Sequence, residues 1–153
     1  MKRFSVWCAC VVVAFASWQF AGTARSADDV IYFFTDTFAA IAYSEETGRW
    51  GYTFDHSTLD NASILARRHC KAADAKTVAW VHNGFCALAV GENGTWGTGW
   101  SSGDGATNTA AKQQALAECK KRSKTARLVI CVCSADRTPE FFETPDPPGT
   151  APD

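Results

Sequence analysis

The order of apolar and polar residues between positions 38 and 133 predicts short strands and two helices. Residues 50–54 place a large aromatic side chain at every second position, which is typical of a half-buried strand. Along residues 59–70 and again along 107–121, apolar residues recur at helical spacing, which predicts two amphipathic helices. The remaining strands are predicted at residues 38–44, 76–81, 86–90, 95–100 and 127–133.

The same order of elements occurs twice, which indicates an internal duplication. The matched residues are Trp50-Gly51 with Trp96-Gly97, Cys70 with Cys119, and Lys76 with Arg127. Each unit is a strand-strand-helix-strand (ββαβ) motif, and the two units cover about residues 38–82 and 86–133. We therefore predict an α+β fold in which a mostly antiparallel sheet is covered by two alanine-rich helices.

Residues 1–27 have the layout of a secretion signal peptide. Lys2 and Arg3 precede an uncharged, largely apolar stretch over residues 4–22, and small residues follow it. We expect cleavage to leave a secreted or periplasmic domain over residues 28–134. The alternative is an uncleaved membrane anchor, because the apolar stretch is of borderline length, and only in that case would a membrane be a partner.

The C-terminal segment has a different composition. All five prolines of the chain lie between Pro139 and Pro152, and proline cannot donate a backbone hydrogen bond. We therefore predict a disordered, proline-rich tail over residues 135–153.

Charge disfavours one class of partner. Residues 1–27 hold three cations and no acid, so their removal takes the net charge from −1 to −4. A mildly acidic domain does not bind nucleic acid through bulk electrostatics, and we predict no nucleic-acid partner.

Five of the seven cysteines follow residue 27, which in an oxidising compartment predicts disulfides with one thiol left over. Cys86 opens one predicted strand and Cys133 closes another, so we expect a bridge between them, with Cys131 as the rival partner of Cys86. A bridge between Cys70 and Cys119 is a further possibility.

The chain combines Ala-Ile-Ala-Tyr-Ser and Ala-Leu-Ala-Val-Gly strands, two alanine-rich helices that end in cysteine, and a Cys-Val-Cys-Ser finish. Together these segments resemble a family of small secreted bacterial domains, the DUF4189 domains of unknown function. The resemblance covers about residues 39–134 and implies a bacterial secreted protein with a duplicated α+β domain and structural cysteines. It implies no catalytic residue. Family members usually carry a cysteine after each helix, where this chain has Ala75 and Ala126.

The spacing of the cysteines and histidines disfavours two cysteine-based chemistries. Cys131 and Cys133, with His82, lack the spacing and the second pair of a usual zinc site. His69 adjoins Cys70, but neighbours along a helix point in different directions and do not make a nucleophile–base pair.

The acidic residues Glu45, Glu46, Glu92 and Asp104 lie at predicted turns, where acids are common for structural reasons. We therefore assign no catalytic residue, no metal ligand and no cofactor from the sequence.

Aromatic residues remain as the candidate binding feature. Trp50, Tyr52, Trp96 and Trp100 form two equivalent stripes, and we expect them either to pack under the helices or to form an exposed strip for a protein or glycan partner. The basic helix ends are a second candidate surface, for an acidic partner.

Two function classes follow. The first is a non-catalytic binding or inhibitor-like module, and the second is a hydrolase of cell-envelope material. A cleft that gathers His56, Asp55 or Glu92 would favour the hydrolase.

Overall fold

The computed structural model describes residues 36–135 and 139–142. The predicted signal peptide and most of the predicted tail lie outside these residues. The elements in chain order are β1 (Phe38–Tyr43), β2 (Trp50–His56), α1 (Leu59–Cys70), β3 (Lys76–His82), β4 (Gly84–Gly91), β5 (Trp96–Ser102), α2 (Asn108–Lys120), β6 (Ala126–Cys133) and β7 (Glu140–Phe141).

The strands form two antiparallel sheets, one for each predicted unit. The first sheet has the order β2-β1-β3, and the second has the equivalent order β5-β4-β6 with β7 added at its edge. The two helices occupy equivalent places in the two units. The predicted α+β class and the duplicated ββαβ order are therefore confirmed.

The two sheets face each other, and the helices cover their outer surfaces. Side chains alternate between the faces of a strand. In β1, Ile41 and Tyr43 point into the core between the sheets, whereas Ala40 and Ala42 pack against α1. In β4, Leu88 belongs to the same inner core and its neighbours pack against α2. The layers are thus helix, sheet, sheet and helix.

Three of the four residues in the aromatic stripes pack between the sheets rather than under the helices. Trp50, Tyr52 and Trp96 pack against the inner core. Glycine takes the positions beneath the helices: a Cβ on Gly51 would lie 2.2 Å from the backbone nitrogen of Cys70. The expectation that aromatics fill the space under the helices is wrong, because the helix backbones sit directly on glycine and alanine.

Threonine side chains begin both helices. Thr58 and Thr107 accept hydrogen bonds from the backbone nitrogens three residues ahead, of Asn61 at 3.3 Å and of Ala110 at 3.2 Å. The cap of α1 is therefore Thr58 and not the neighbouring Ser57, whose spacing to Asp60 resembles a capping box.

The sandwich has two distinct ends. At the turn end, which we define by residues 44–49 and 91–95, the β1–β2 and β4–β5 connections meet, and the Trp96 indole donates to Glu45 at 3.0 Å. At the link end, Asn83 joins β3 of one sheet to β4 of the other with φ of 48°. Its backbone nitrogen donates to the Thr37 carbonyl at 3.0 Å. Asn83-Gly84 therefore connects two sheets and does not close a hairpin within one.

The short strand β7 lies inside the segment for which we predicted no regular structure. Its two residues pair with Ile130 and Cys131 of β6. Pro139 precedes β7 and cannot donate, but Glu140 and Phe141 keep both backbone groups and can pair. The ordered domain thus includes residues beyond Ser134.

Candidate functional site

The predicted Cys86–Cys133 bridge is absent from the structure, in which Cys86 carries a free thiol. Cys86 lies opposite Val132 in the register, and both point into the core between the sheets. Cys131 and Cys133 pack on the other face, against α2. Because a disulfide needs both side chains on one side of the sheet, this register excludes Cys86 from pairing with either cysteine.

The second predicted bridge is also absent. Cys70 packs between α1 and the first sheet, and Cys119 packs between α2 and the second sheet. Two sheets separate the helix ends, so the two thiols lie in different layers of the fold.

Burial holds the thiols in their protonated form. Burial raises the pKa of Cys86 well above its usual value, and the nearby Cys131 and Cys133 raise it further. Burial also raises the pKa of Cys131 to about 12, against a lowering contribution from Lys112. The pKa of Cys70 is raised mainly by burial. A thiol is a nucleophile or a metal ligand only as the thiolate, so these cysteines are unreactive in both roles at neutral pH.

The neighbours His69 and Cys70 contact different backbone groups. The Cys70 thiol donates to the Arg49 carbonyl at 3.3 Å, and His69 Nδ1 contacts the Tyr52 carbonyl at 2.8 Å. A carbonyl oxygen only accepts, so Nδ1 carries the proton in this contact. His69 and Cys70 do not contact each other and form no catalytic pair.

The residues weighed for zinc are also separated. His82 stacks on Phe38 with ring centroids 4.5 Å apart and contacts Asp36 at 2.6 Å, at the link end of the first sheet. Cys131 and Cys133 lie in the second sheet, on the face toward α2. Over residues 36–135 and 139–142, no three histidine, cysteine or acidic side chains come together as metal ligands.

The candidate hydrolase residues lie at opposite ends of the sandwich. Asp55 and His56 close β2 at the link end, where the His56 ring contacts the Thr53 hydroxyl. Glu92 belongs to the β4–β5 connection at the turn end. The structure does not bring together the groups whose convergence would favour a hydrolase.

The four residues of the predicted aromatic strip divide between two edges of the sandwich. Trp50 and Tyr52 lie on β2, which stacks over β6, whereas Trp96 and Trp100 lie on β5, which stacks under β3. Trp100 is exposed, but Trp96 is half-buried and packs against the core. The four side chains therefore do not make one continuous surface.

A different aromatic group forms at the β2 edge. Phe141 of β7 lies with its ring centroid 6.0 Å from that of Trp50 and 5.6 Å from that of Tyr52. Tyr52 in turn stacks on Phe54 at 6.4 Å. We name Trp50, Tyr52, Phe54 and Phe141 the aromatic edge. Phe141 is 56 % exposed, so the aromatic edge opens to solvent.

Sequence comparison assigns the family. Residues 38–133 match the model of the domain of unknown function DUF4189. The chain belongs to the DUF4189 family. This confirms the resemblance, and the family description carries no activity. Neither the curated proteins nor the solved structures gave a match to this chain.

Alanines occupy the positions at which we expected other DUF4189 members to carry cysteine. Ala75 packs in the same cluster as Cys70, and Ala126 packs in the same cluster as Cys119. The apolar methyl groups at these places leave both helix-end thiols without a local disulfide partner.

The described part of this DUF4189 chain contains no helix that is long and apolar enough to cross a membrane. The expected signal peptide lies outside that part.

Phe54 and Phe141 are the residues of the aromatic edge that the predicted strip did not include, and the predicted tail also placed Phe141 outside any strand or helix. Phe141 lies among prolines, which favoured a prediction of disorder, and only the adjacent pair Phe141-Phe142 signalled an ordered contact.

Proposed function

We propose that this DUF4189 domain is a non-catalytic binding module that works outside the cytoplasm, and that its partner contacts the aromatic edge. The observation that carries the proposal is the exposure of Phe141 beside Trp50 and Tyr52. Aromatic side chains that are fixed in place and open to solvent are the usual centre of a binding surface.

Contacts on the other side of β7 hold the aromatic edge in place. The Glu140 carboxylate accepts a hydrogen bond from the Asn108 side chain at 2.6 Å and forms an ion pair with Lys112. The Lys112 ammonium also lies 5.0 Å from the centre of the Phe142 ring. A surface that is ordered before binding loses little further conformational entropy when a partner arrives.

The edge position of β7 favours a protein partner. Within the described residues, β7 pairs with β6 on one side and with no strand on the other. An extended partner segment would add to this edge through backbone hydrogen bonds while its side chains contact Phe141. A glycan would instead stack on the rings. The separation of His56 and Glu92 gives no support to the hydrolase alternative.

We expect Phe141→Ser to weaken partner capture by about fivefold or more, as for the central residue of an interface. The wild-type chain and each variant would be used as bait in the extracellular or periplasmic extract of the native host, with quantitative mass spectrometry of the bound material. Ile64→Ser is the matched control, because Ile64 is an exposed apolar residue on α1. Equal enrichment by wild type and Phe141→Ser would contradict the proposal.

A further inference from the structure

At the turn end, a buried hydroxyl has no hydrogen-bond partner. Tyr43 is 1 % exposed, and its Oη is the one buried side-chain polar atom of the described residues that contacts no donor or acceptor. Buried polar groups in folded proteins are almost always paired. An unpaired phenol in an otherwise well-packed core therefore indicates that something else supplies its partner.

Two rows of side chains face each other around this hydroxyl. Across the first sheet, Tyr43 lies between Trp50 and Lys76 in the register. Across the second sheet, the equivalent row has Val90 between Trp96 and Arg127. Residues directly opposite one another in an antiparallel pair share a face, and Tyr43 and Val90 both pack on the inner core.

The duplication shows that packing alone does not require the hydroxyl. Val90 occupies in the second unit the place that Tyr43 occupies in the first, and a purely apolar side chain suffices there. The chain thus retains a polar atom at one of two equivalent positions. Burying that hydroxyl is unfavourable unless a hydrogen-bond acceptor or donor pairs with it.

Two surface contacts hold Trp96, whose ring lies beside that of Tyr43. The Trp96 ring centroid lies 6.4 Å from that of Tyr43. The exposed Glu45 accepts the Trp96 indole proton at 3.0 Å, and the exposed Arg122 lies 5.4 Å over the ring. The hydroxyl is closed to solvent in this arrangement, so a ligand would reach it by displacing Trp96.

Basic residues outnumber acidic ones at this end, where Glu45, Glu46 and Glu92 lie in the two connections and Glu118 pairs with Lys121. Both helices end there, because Cys70 contacts Gly51 and Cys119 contacts Gly97 at the starts of β2 and β5. The basic residues of the two helix ends are Arg67, Arg68, Lys71, Lys120, Lys121 and Arg122.

The ionisation of Tyr43 responds to groups at the same end. Burial raises the pKa of Tyr43 most, and Glu45 raises it further, whereas Arg127 lowers it. Arg127 therefore lies close enough to the phenol to interact with a charge placed there.

We propose that the turn end is a binding site for a small organic anion, whose carboxylate or phosphate oxygen accepts the Tyr43 O–H and pairs with Arg127, while its apolar body lies along Trp96. Charge-assisted hydrogen bonds of this kind are stronger than neutral ones. The site does not include Phe141. A negative result for this site would therefore not contradict the partner surface proposed above.

Benzoate is the probe, and the shift of the Trp96 indole N–H signal in nitrogen-edited NMR spectra is the measurement. We expect saturable shifts with benzoate, and binding about fivefold or more weaker with the neutral, equally shaped benzamide. Tyr43→Phe keeps the ring and removes the hydroxyl, and Arg127→Gln removes the charge. Each is expected to weaken benzoate binding by about fivefold or more. Lys124→Gln, a charge change in the neighbouring loop, is the control and should leave binding within about twofold.

Three results would overturn the proposal: no saturable shift with benzoate, equal binding of benzamide, or equal effects of Arg127→Gln and Lys124→Gln. The comparison of these two surface variants remains decisive even if Tyr43→Phe fails to fold.

Discussion

Alanine in place of Gly97 is expected to destabilise the domain by about 4 kcal/mol or more, the range in which single substitutions abolish folding. A Cβ at this position would lie 2.2 Å from the backbone nitrogen of Cys119 and 2.7 Å from the carbonyl oxygen of Ala115. Both are backbone atoms of α2 and cannot rotate away. The helix would have to lift off the second sheet, which would open the buried contacts of Ala111, Ala115 and Cys119.

Gly103→Ala is the matched control. Gly103 has φ of 80° but nothing within 4 Å of an added Cβ, so its substitution costs only about 1 kcal/mol of backbone strain. Urea unfolding followed by tryptophan fluorescence would compare the free energies of unfolding of wild type and both variants. Similar losses for Gly97→Ala and Gly103→Ala would show that α2 does not rest on β5 as described.

Alkaline pH is expected to destabilise the domain steeply. Burial raises the pKa values of Cys86 and Cys131, so in the folded state these thiols stay protonated above their usual value of 9.0. In the unfolded chain they ionise near that value. The stability is therefore fully present below about pH 9 and is lost as the pH rises from there toward the folded pKa values. Each such thiol lowers the free energy of unfolding by about 1.4 kcal/mol per pH unit in that window.

The slope with pH, rather than the absolute stability, tests this prediction. Denaturant unfolding in the presence of a reductant would be measured at intervals between about pH 8 and pH 11. Cys131→Ala leaves a cavity and changes the stability at every pH, but it should also reduce the slope by about 1.4 kcal/mol per pH unit. An unchanged slope in this variant would mean that Cys131 is not a buried thiol.

The sequence predicted the elements and their duplication, because hydrophobic periodicity and the Trp-Gly and Cys matches are local signals. It did not predict which layer covers each face. Alternation in residues 50–54 shows that Trp50 and Tyr52 share a face, but it does not say whether a helix or a second sheet lies against them. The sequence feature that indicates the helix-covered face is the glycine on the opposite face of the strand. Gly51, like Gly97, leaves room only for a closely packed helix backbone.

The prediction of a Cys86–Cys133 bridge differs from the structure for a related reason. Proximity of strand ends suggested Cys86 with Cys133, but the register places Cys86 opposite Val132 and so on the other face of the sheet. Strand register depends on side-chain packing across the whole sheet and is not a property of one strand. The aromatic edge was only half predicted, because Phe141 comes from a segment whose composition indicated disorder and reaches β2 only through its pairing with β6.

Site-specific photocrosslinking in the native host tests most directly the central claim that this domain acts by binding through the aromatic edge. The full chain would carry p-benzoylphenylalanine in place of Phe141 or, as the control, in place of Ile64 on α1. We predict that position 141 forms one dominant crosslinked product and that position 64 does not. Mass spectrometry of the product distinguishes a protein from a glycan partner. Equal crosslinking at both positions, or none at position 141 while the chain is folded and exported, would contradict the account.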